Sequence, residues 1–411
     1  MLAIPWYFAQ QGKSDTFIFW LGVFTLTAFG WSLYAGSLID RFPRKRVFMV
    51  TNLTEGAILA CVALIGFAQG GLPNALVLAV FGMTLLGYNI HFPNLYAFGQ
   101  EITPPDQYVK INSQLEVIGQ TTRGLSGALA AILLEGVDWS GQWHLLGATI
   151  PYDVHLKAWP LHQIFLTDGI TYFIATVIIA FIQYTPYARR KVEMGALVER
   201  LKGGFRFLNR HRLIALFGFF SHSIFAIAIV RIHGVSAPYV SNWLVEDGSI
   251  IGAQQLLYSC GAVVAGFLVK RLFSDLTTPG VLIGLMFAAA TAAFFSASTQ
   301  AVYIYLAVGF TFGFTNASSR ILRVSYLFRH VPNGVIGRVT SIFTVANTLT
   351  RSAFIFLFST AIFQGPNIHY AYWYMGGFIL LSGLAMLAYY RRLIAMPIPE
   401  EMEIDGERVA S

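Results

Sequence analysis

Long apolar runs recur along this chain, and they limit its possible folds more than any other feature. The runs last about 20 residues each, long enough for a helix to cross a bilayer. Hydrophobic residues make up 56% of the 411 residues and charged residues only 11%, whereas soluble domains carry about 25% charged residues. Strand-like alternation is absent from the runs. The sequence therefore predicts an all-α integral membrane protein.

Turn residues and charges divide the apolar sequence into eleven spans, numbered 2 to 12 to leave room for a first span before Met1. The predicted spans are 16–39, 47–69, 74–100, 109–135, 163–183, 213–238, 249–269, 280–298, 301–326, 336–363 and 368–390. The segment Met1–Gln11 is too short to cross a bilayer at 1.5 Å per residue.

Basic residues set the expected orientation. The gap 40–46 carries four Lys or Arg residues and the segment 184–212 carries eight, whereas the opposite gaps hold only Lys13 and Lys157. The positive-inside rule places both basic segments in the cytoplasm. The net charge of +7 is thus a signal of topology, and it does not call for a nucleic-acid partner.

The two halves of the chain are related by an internal repeat. "SQLEVIGQTTR" (113–123) matches "SIFTVANTLTR" (341–351) at an offset of 228, and Gly36 matches Gly266 at 230. The offset predicts two equivalent bundles. We expect an N-terminal bundle at 1–183, a cytoplasmic linker at 184–212, a C-terminal bundle at 213–392 and a tail at 393–411. Span 7 begins near 213, so its counterpart would begin before Met1. We expect this chain to lack most of span 1.

Three stretches resemble the major facilitator superfamily. "GSLIDRFPRKR" (36–46) resembles the signature between its spans 2 and 3, and "FLTDGITYFIA" (165–175) and "LKGGFRFLNRHRLI" (201–214) resemble its drug-efflux-like branch. The resemblance covers essentially the whole chain. It implies two six-helix bundles that rock about a central cavity, and a secondary transporter in the bacterial cytoplasmic membrane.

The signature stretch supplies the expected cytoplasmic gate. Gly36 permits close helix packing, and Asp40 could meet the positive end of span 11 near Arg338. The cations of the stretch are expected to anchor the loop to anionic headgroups. The alternative is a topology anchor with no gating role. The expected motif is Gly36, Asp40, Arg41, Arg44 and Lys45.

Ionisable groups at membrane depth are costly and usually mark functional sites. Arg123 and Arg351 occupy equivalent positions of spans 5 and 11. Each either binds cargo or locks helices together in a fixed pair. Arg231 lies in span 7, which lines the cavity in the resembled family. Glu55 and Asp168 could carry a coupling proton, but the family places spans 3 and 6 at the periphery, where a structural role is the alternative.

Spans 4 and 10 line the family's cavity as well, so their polar residues are expected to contact cargo. A histidine at such a depth is otherwise usually a satisfied core residue. The candidates are Asn89, His91, Asn94, Asn316 and Arg320.

Two extramembrane segments complete the prediction. The segment 137–163 is expected to form a cap on the outer surface. Val198, Leu201, Phe205 and Leu208 form an apolar stripe, which is typical of an amphipathic helix on the inner leaflet.

No phosphate loop, nucleotide domain or metal motif occurs in the sequence, so we expect no cofactor. The expected function is proton-coupled efflux of a small amphipathic compound by a monomer. Its partners would be the cargo, an ion gradient and the bilayer, with no nucleic acid. One alternative is a carrier for a lipid, siderophore, sugar or other nutrient. Another is an intramembrane lipid-modifying enzyme, which would need clustered acids or histidines on one cytoplasmic face.

Overall fold

Helices dominate the computed structural model, which describes residues 3–103, 108–145, 148–184, 195–272 and 276–397. Each predicted span corresponds to helical structure. Spans 2 to 12 are, in order, Ser14–Arg41, Arg44–Gln69, Asn74–Glu101, Tyr108–Glu135, Leu161–Ala180, Arg212–Leu244, Ser249–Leu272, Thr278–Ser298, Val302–His330, Asn333–Phe358 and Tyr370–Ala388. Within the described residues, eight helices are long and apolar enough to cross a membrane, and they correspond to spans 3, 4, 6, 7, 8, 9, 11 and 12. The all-α membrane fold is confirmed.

Prolines set the starts of several spans. Pro43, Pro73, Pro160 and Pro332 directly precede spans 3, 4, 6 and 11. A proline has no N–H to leave unpaired, and its carbonyl still accepts a bond from the first turn. Gly70 ends span 3 with a φ of 69°, the left-handed conformation that glycine adopts without strain.

The spans form two packed groups. In one, span 3 packs on span 6 and span 2 on span 4. In the other, span 8 packs on span 10 and span 9 on span 12. The groups meet where span 5 packs on span 8 and span 2 on span 11. Small residues allow this approach, because a Cβ added to Gly252 would lie 2.7 Å from the Cβ of Ala131. The contacts of Gly252 with Ala131 and of Gly22 with Phe356 lie toward the ends opposite the basic segments, so the two groups meet on that side.

A short helix, Ala3–Gln10, packs between the two groups on the same side. The buried indole of Trp6 donates a hydrogen bond to Glu135 at the end of span 5, and Gln10 donates to the same carboxylate at 3.0 Å. Gly248, at the start of span 8, packs against Trp6. The sequence indicated only that this segment was too short to cross the bilayer.

The predicted outer cap contains a β-hairpin that the sequence analysis missed. Strands β1 (Val137–Leu145) and β2 (Ala148–Leu156) pair antiparallel, with Val137 opposite Leu156. The imidazole of His155 lies 2.5 Å from Asp138 and 2.8 Å from Asp153. In the sequence only two residues separate the strands, and one is Gly147, a pattern typical of hairpins. Both strands lie outside the apolar runs, so the pattern of those runs does not reveal them.

The linker contains a helix, Gly195–Arg210. This linker helix packs on the first turns of span 11, where Gly204 approaches the backbone of Arg338. The predicted apolar stripe is divided, since Leu208 is 6% exposed whereas Phe205 is 67% exposed. The side chains of Val198 and Leu201 lie outside the described residues. One side of the helix therefore faces protein, because span 11 offers a closer apolar surface than the bilayer.

Candidate functional site

The cytoplasmic signature makes contacts within the protein. The Arg44 guanidinium lies 3.3 Å from the Glu101 carboxylate of span 4. The Lys45 ammonium donates to the carbonyls of Ala180 and Ile182, at 2.7 and 2.8 Å, and so caps span 6. Two cations expected to anchor the loop to headgroups thus have protein partners, because spans 4 and 6 end beside them.

The gating part of the signature lies outside the described side chains. This applies to Gly36, Asp40 and Arg41, although their backbone continues span 2. Around the expected contact point on span 11, the linker helix packs against Arg338. The gate stays a prediction.

Tyr184 extends the contact between Arg44 and Glu101. Its hydroxyl donates a hydrogen bond to the second carboxylate oxygen of Glu101. Burial, together with this hydrogen bond and the negative charge of Glu101, raises the pKa of Tyr184 to about 12. The cluster ties span 4 to span 3 and to the chain that leaves span 6.

Two acidic side chains that the sequence treated separately are neighbours. Glu55 of span 3 and Asp168 of span 6 interact electrostatically, and the Tyr172 side chain lies beside Glu55. Glu55 also fits against Gly87 of span 4, where an added Cβ would clash with its carboxylate. We refer to Glu55, Asp168 and Tyr172 as the carboxyl cluster. Its position within the N-terminal bundle agrees with a peripheral site.

The polar residues of span 4 make contacts on spans 3 and 4. The Asn94 side chain is fully buried and donates to the Arg44 carbonyl at 3.0 Å. The His91 ring packs edge-on against Phe48, with centroids 5.4 Å apart. Asn89 donates to a carbonyl one turn earlier in its own helix. Their roles as cargo contacts stay predictions.

Arg231 is the most deeply buried cation, at 0% exposure. It begins a π-helical turn in span 7, a distortion common at functional sites. Its guanidinium carbon lies 5.0 Å from the ring centroid of Phe312 and 5.8 Å from that of Tyr258. None of its three nitrogens forms a hydrogen bond or an ion pair with a described residue. The Tyr372 hydroxyl lies near the Arg231 guanidinium, but no hydrogen bond joins the two groups.

Tyr258 of span 8 brings several predicted residues together. Asn316 donates to its hydroxyl at 2.7 Å. Its charged neighbours are Arg231, Arg123 and Arg320. Of these, Arg231 lies over the Tyr258 ring. Arg123 belongs to span 5, where it donates to the Gly119 carbonyl at 3.1 Å and lies 6.0 Å from the ring centroid of Phe92. The sequence identified each cation but missed Tyr258. The available signal was the seven-residue spacing of Gly252 and Ser259, which marks the side of span 8 that packs on span 5.

Arg351 extends this group. It donates to the Thr348 hydroxyl at 3.0 Å, while its Nε has no hydrogen-bond partner among the described residues. His233 lies near both Arg351 and Arg123. We call Arg123, Arg231, Arg320 and Arg351 the arginine cluster. It combines the repeat-equivalent arginines with cations of spans 7 and 10, and it could hold an anionic group.

Among known families, the model of the Major Facilitator Superfamily matches residues 1–355. The comparison with curated protein sequences found no match.

Several solved structures share the fold at low identity. A D-xylose-proton symporter is 13% identical with a TM-score of 0.67, covering 99% of this chain and 95% of its own. A bacterial homologue of the iron transporter ferroportin, in an inward-facing state, is 13% identical with a TM-score of 0.65, covering 94% of each chain. A bacterial metal transporter is 12% identical with a TM-score of 0.56, covering 92% of this chain and 98% of its own.

Proposed function

Because the chain belongs to the Major Facilitator Superfamily, we propose that it exports a small amphipathic compound by alternating access, driven by proton entry across the bacterial cytoplasmic membrane. The protein is a multi-pass membrane protein with a transporter fold. The outward direction of transport, its coupling to protons and its location in the bacterial cytoplasmic membrane are proposals.

The arginine cluster carries this proposal. It combines Arg231, which lies beside the ring of Tyr258 in the C-terminal bundle, with Arg123 of the N-terminal bundle, whose charge acts on the same tyrosine. A site shared by two rocking bodies is where alternating access places its cargo. The bundles pack together toward the ends opposite the basic segments, where Gly252 approaches Ala131 and Gly22 approaches Phe356. This packing supports a state open toward the cytoplasm, in which an exporter loads its cargo.

The carboxyl cluster is the proposed proton carrier. Glu55 and Asp168 are electrostatic neighbours, and two carboxylates within a bilayer are costly to keep charged together. The pair therefore favours holding a proton, which a change in the packing of spans 3 and 6 could release. The Tyr172 side chain lies beside Glu55 and would hold it in place.

Other cargo is the main alternative, since the similar structures include sugar and metal transporters. Within the described residues, no group of three or more His, Cys, Asp or Glu side chains could hold a metal ion. That observation favours an organic cargo over a bare metal ion.

Proton flux in proteoliposomes tests the proposal. The vesicles would contain a pH-sensitive dye and receive lipophilic cations, neutral drugs and lipophilic anions in turn. We expect cargo-dependent proton movement, which Glu55→Gln and Asp40→Asn weaken and Arg391→Gln, a loss of charge at the exposed end of span 12, leaves unchanged. Transport without proton movement would contradict proton coupling and would indicate a facilitator. No transport of any compound would contradict efflux of amphipathic compounds.

A further inference from the structure

Resting on the proposed transport function, we propose that the cargo carries an anionic group, a carboxylate or a phosphate, that binds the Arg231 guanidinium between Tyr258 and Phe312. The arginine cluster thereby selects organic anions and disfavours the lipophilic cations that many exporters carry.

The buried charge of Arg231 is not paired with any described residue. An arginine stays protonated at any physiological pH, and this one is 0% exposed with no ion pair to a described residue. The rings of Phe312 and Tyr258 lie within cation–π distance. Such contacts offset only part of the cost of a buried charge. The site is therefore incomplete until an anion enters.

The geometry of the Arg231 guanidinium also fits a bound anion. A guanidinium binds a carboxylate or phosphate through two parallel hydrogen bonds, and all three nitrogens of Arg231 lack hydrogen-bond partners among the described residues. The hydroxyl of Tyr372 faces the same point. The aromatic faces of Tyr258 and Phe312 would contact the apolar body of the cargo. The arrangement fits an organic anion better than a bare inorganic one.

A matched set of probes tests the binding. The full chain in lipid nanodiscs would be titrated with naphthylacetate, naphthyl phosphate, the neutral naphthylacetamide and the cationic naphthylmethylamine, with the thermal unfolding midpoint as readout. We expect saturable stabilisation by the two anions, and affinities at least about tenfold weaker for the neutral and cationic probes. Arg231→Met should abolish the preference, and Arg391→Gln should keep it.

The unliganded protein gives an independent readout. Arg231→Met should raise the unfolding midpoint without probe, because it removes an uncompensated buried cation. If that variant does not fold, Arg231→Lys keeps the charge but loses the paired hydrogen bonds and should weaken anion binding. The proposal would be overturned if Arg231→Met had a lower unfolding midpoint and the unsubstituted protein bound the anions no better than the neutral probe.

The two proposals fail separately. Proton-coupled transport of neutral or cationic compounds with no anion preference would overturn the anion site and leave the transport function in place. Anion binding that depends on Arg231, with no transport of any compound, would support the site and contradict the proposed function.

Discussion

At the scale of single residues, Lys45 caps the cytoplasmic end of span 6. Lys45→Met should lower the free energy of unfolding by about 1 kcal/mol, because a cation at the C-terminus of a helix satisfies carbonyls that otherwise lack partners. Arg46→Gln removes an equal charge one residue later from an exposed side chain and should have little effect. Thermal unfolding in nanodiscs compares the stability of the two variants. If both lose the same stability, the net charge of the loop matters and the capping of span 6 does not.

Tyr184 gives a second residue-scale prediction. Its pKa is raised from 10 to about 12, so its hydrogen bond to Glu101 stabilises the folded state fully below pH 10. That stabilisation is lost as the pH rises through about 12. The phenolate absorbance of the protein, minus that of Tyr184→Phe, reports this titration. Glu101→Gln should move it to lower pH, and an unchanged titration would contradict the assigned cause.

The sequence predicted residue identities better than residue partners. Arg123, Arg231 and Arg351 were recognised because charges are rare at membrane depth. Their common neighbour Tyr258 was not, because one aromatic residue among many carries no signal of its own. Lys45 was assigned to headgroups, since the sequence does not show that the end of span 6 lies beside it.

At the scale of elements, the seam between spans 5 and 8 keeps the outer side closed. Gly252→Val would place side-chain atoms where a Cβ is already 2.7 Å from Ala131, and such overpacking costs about 1–3 kcal/mol. We expect the outer side to open. Gly284→Val in span 9 is the matched control, because no atom lies within 4 Å of its added Cβ.

Spin labels on the outer surface measure this opening. Asp138→Cys and Asp247→Cys, both exposed, would carry the labels after Cys61 and Cys260 are replaced by serine. Gly252→Val should lengthen the label distance and Gly284→Val should not. An unchanged distance in Gly252→Val would show that this seam does not control the outer closure.

Spans were predictable because a bilayer demands long apolar helices with their backbone bonded internally. The hairpin and the helix Ala3–Gln10 lie outside that constraint. Their stability comes from pairing and packing with distant parts of the chain, such as the bond from Trp6 to Glu135. Local patterns do not reveal such partners.

At the scale of the whole molecule, the repeat offset predicted the two bundles, and the packing of spans 5 on 8 and 2 on 11 shows where they meet. The central claim is that these bundles rock around the arginine cluster. A rocking motion closes one side as it opens the other, so distances on the two sides must change in opposite directions.

Paired distance measurements by electron spin resonance test this claim most directly. One label pair would use Asp138→Cys and Asp247→Cys on the outer side. The other would use Arg46→Cys and Arg329→Cys on the cytoplasmic side, where both residues are exposed. With a compound that drives proton flux, we predict that the outer distance lengthens while the cytoplasmic distance shortens. Changes of the same sign, or none, would contradict alternating access.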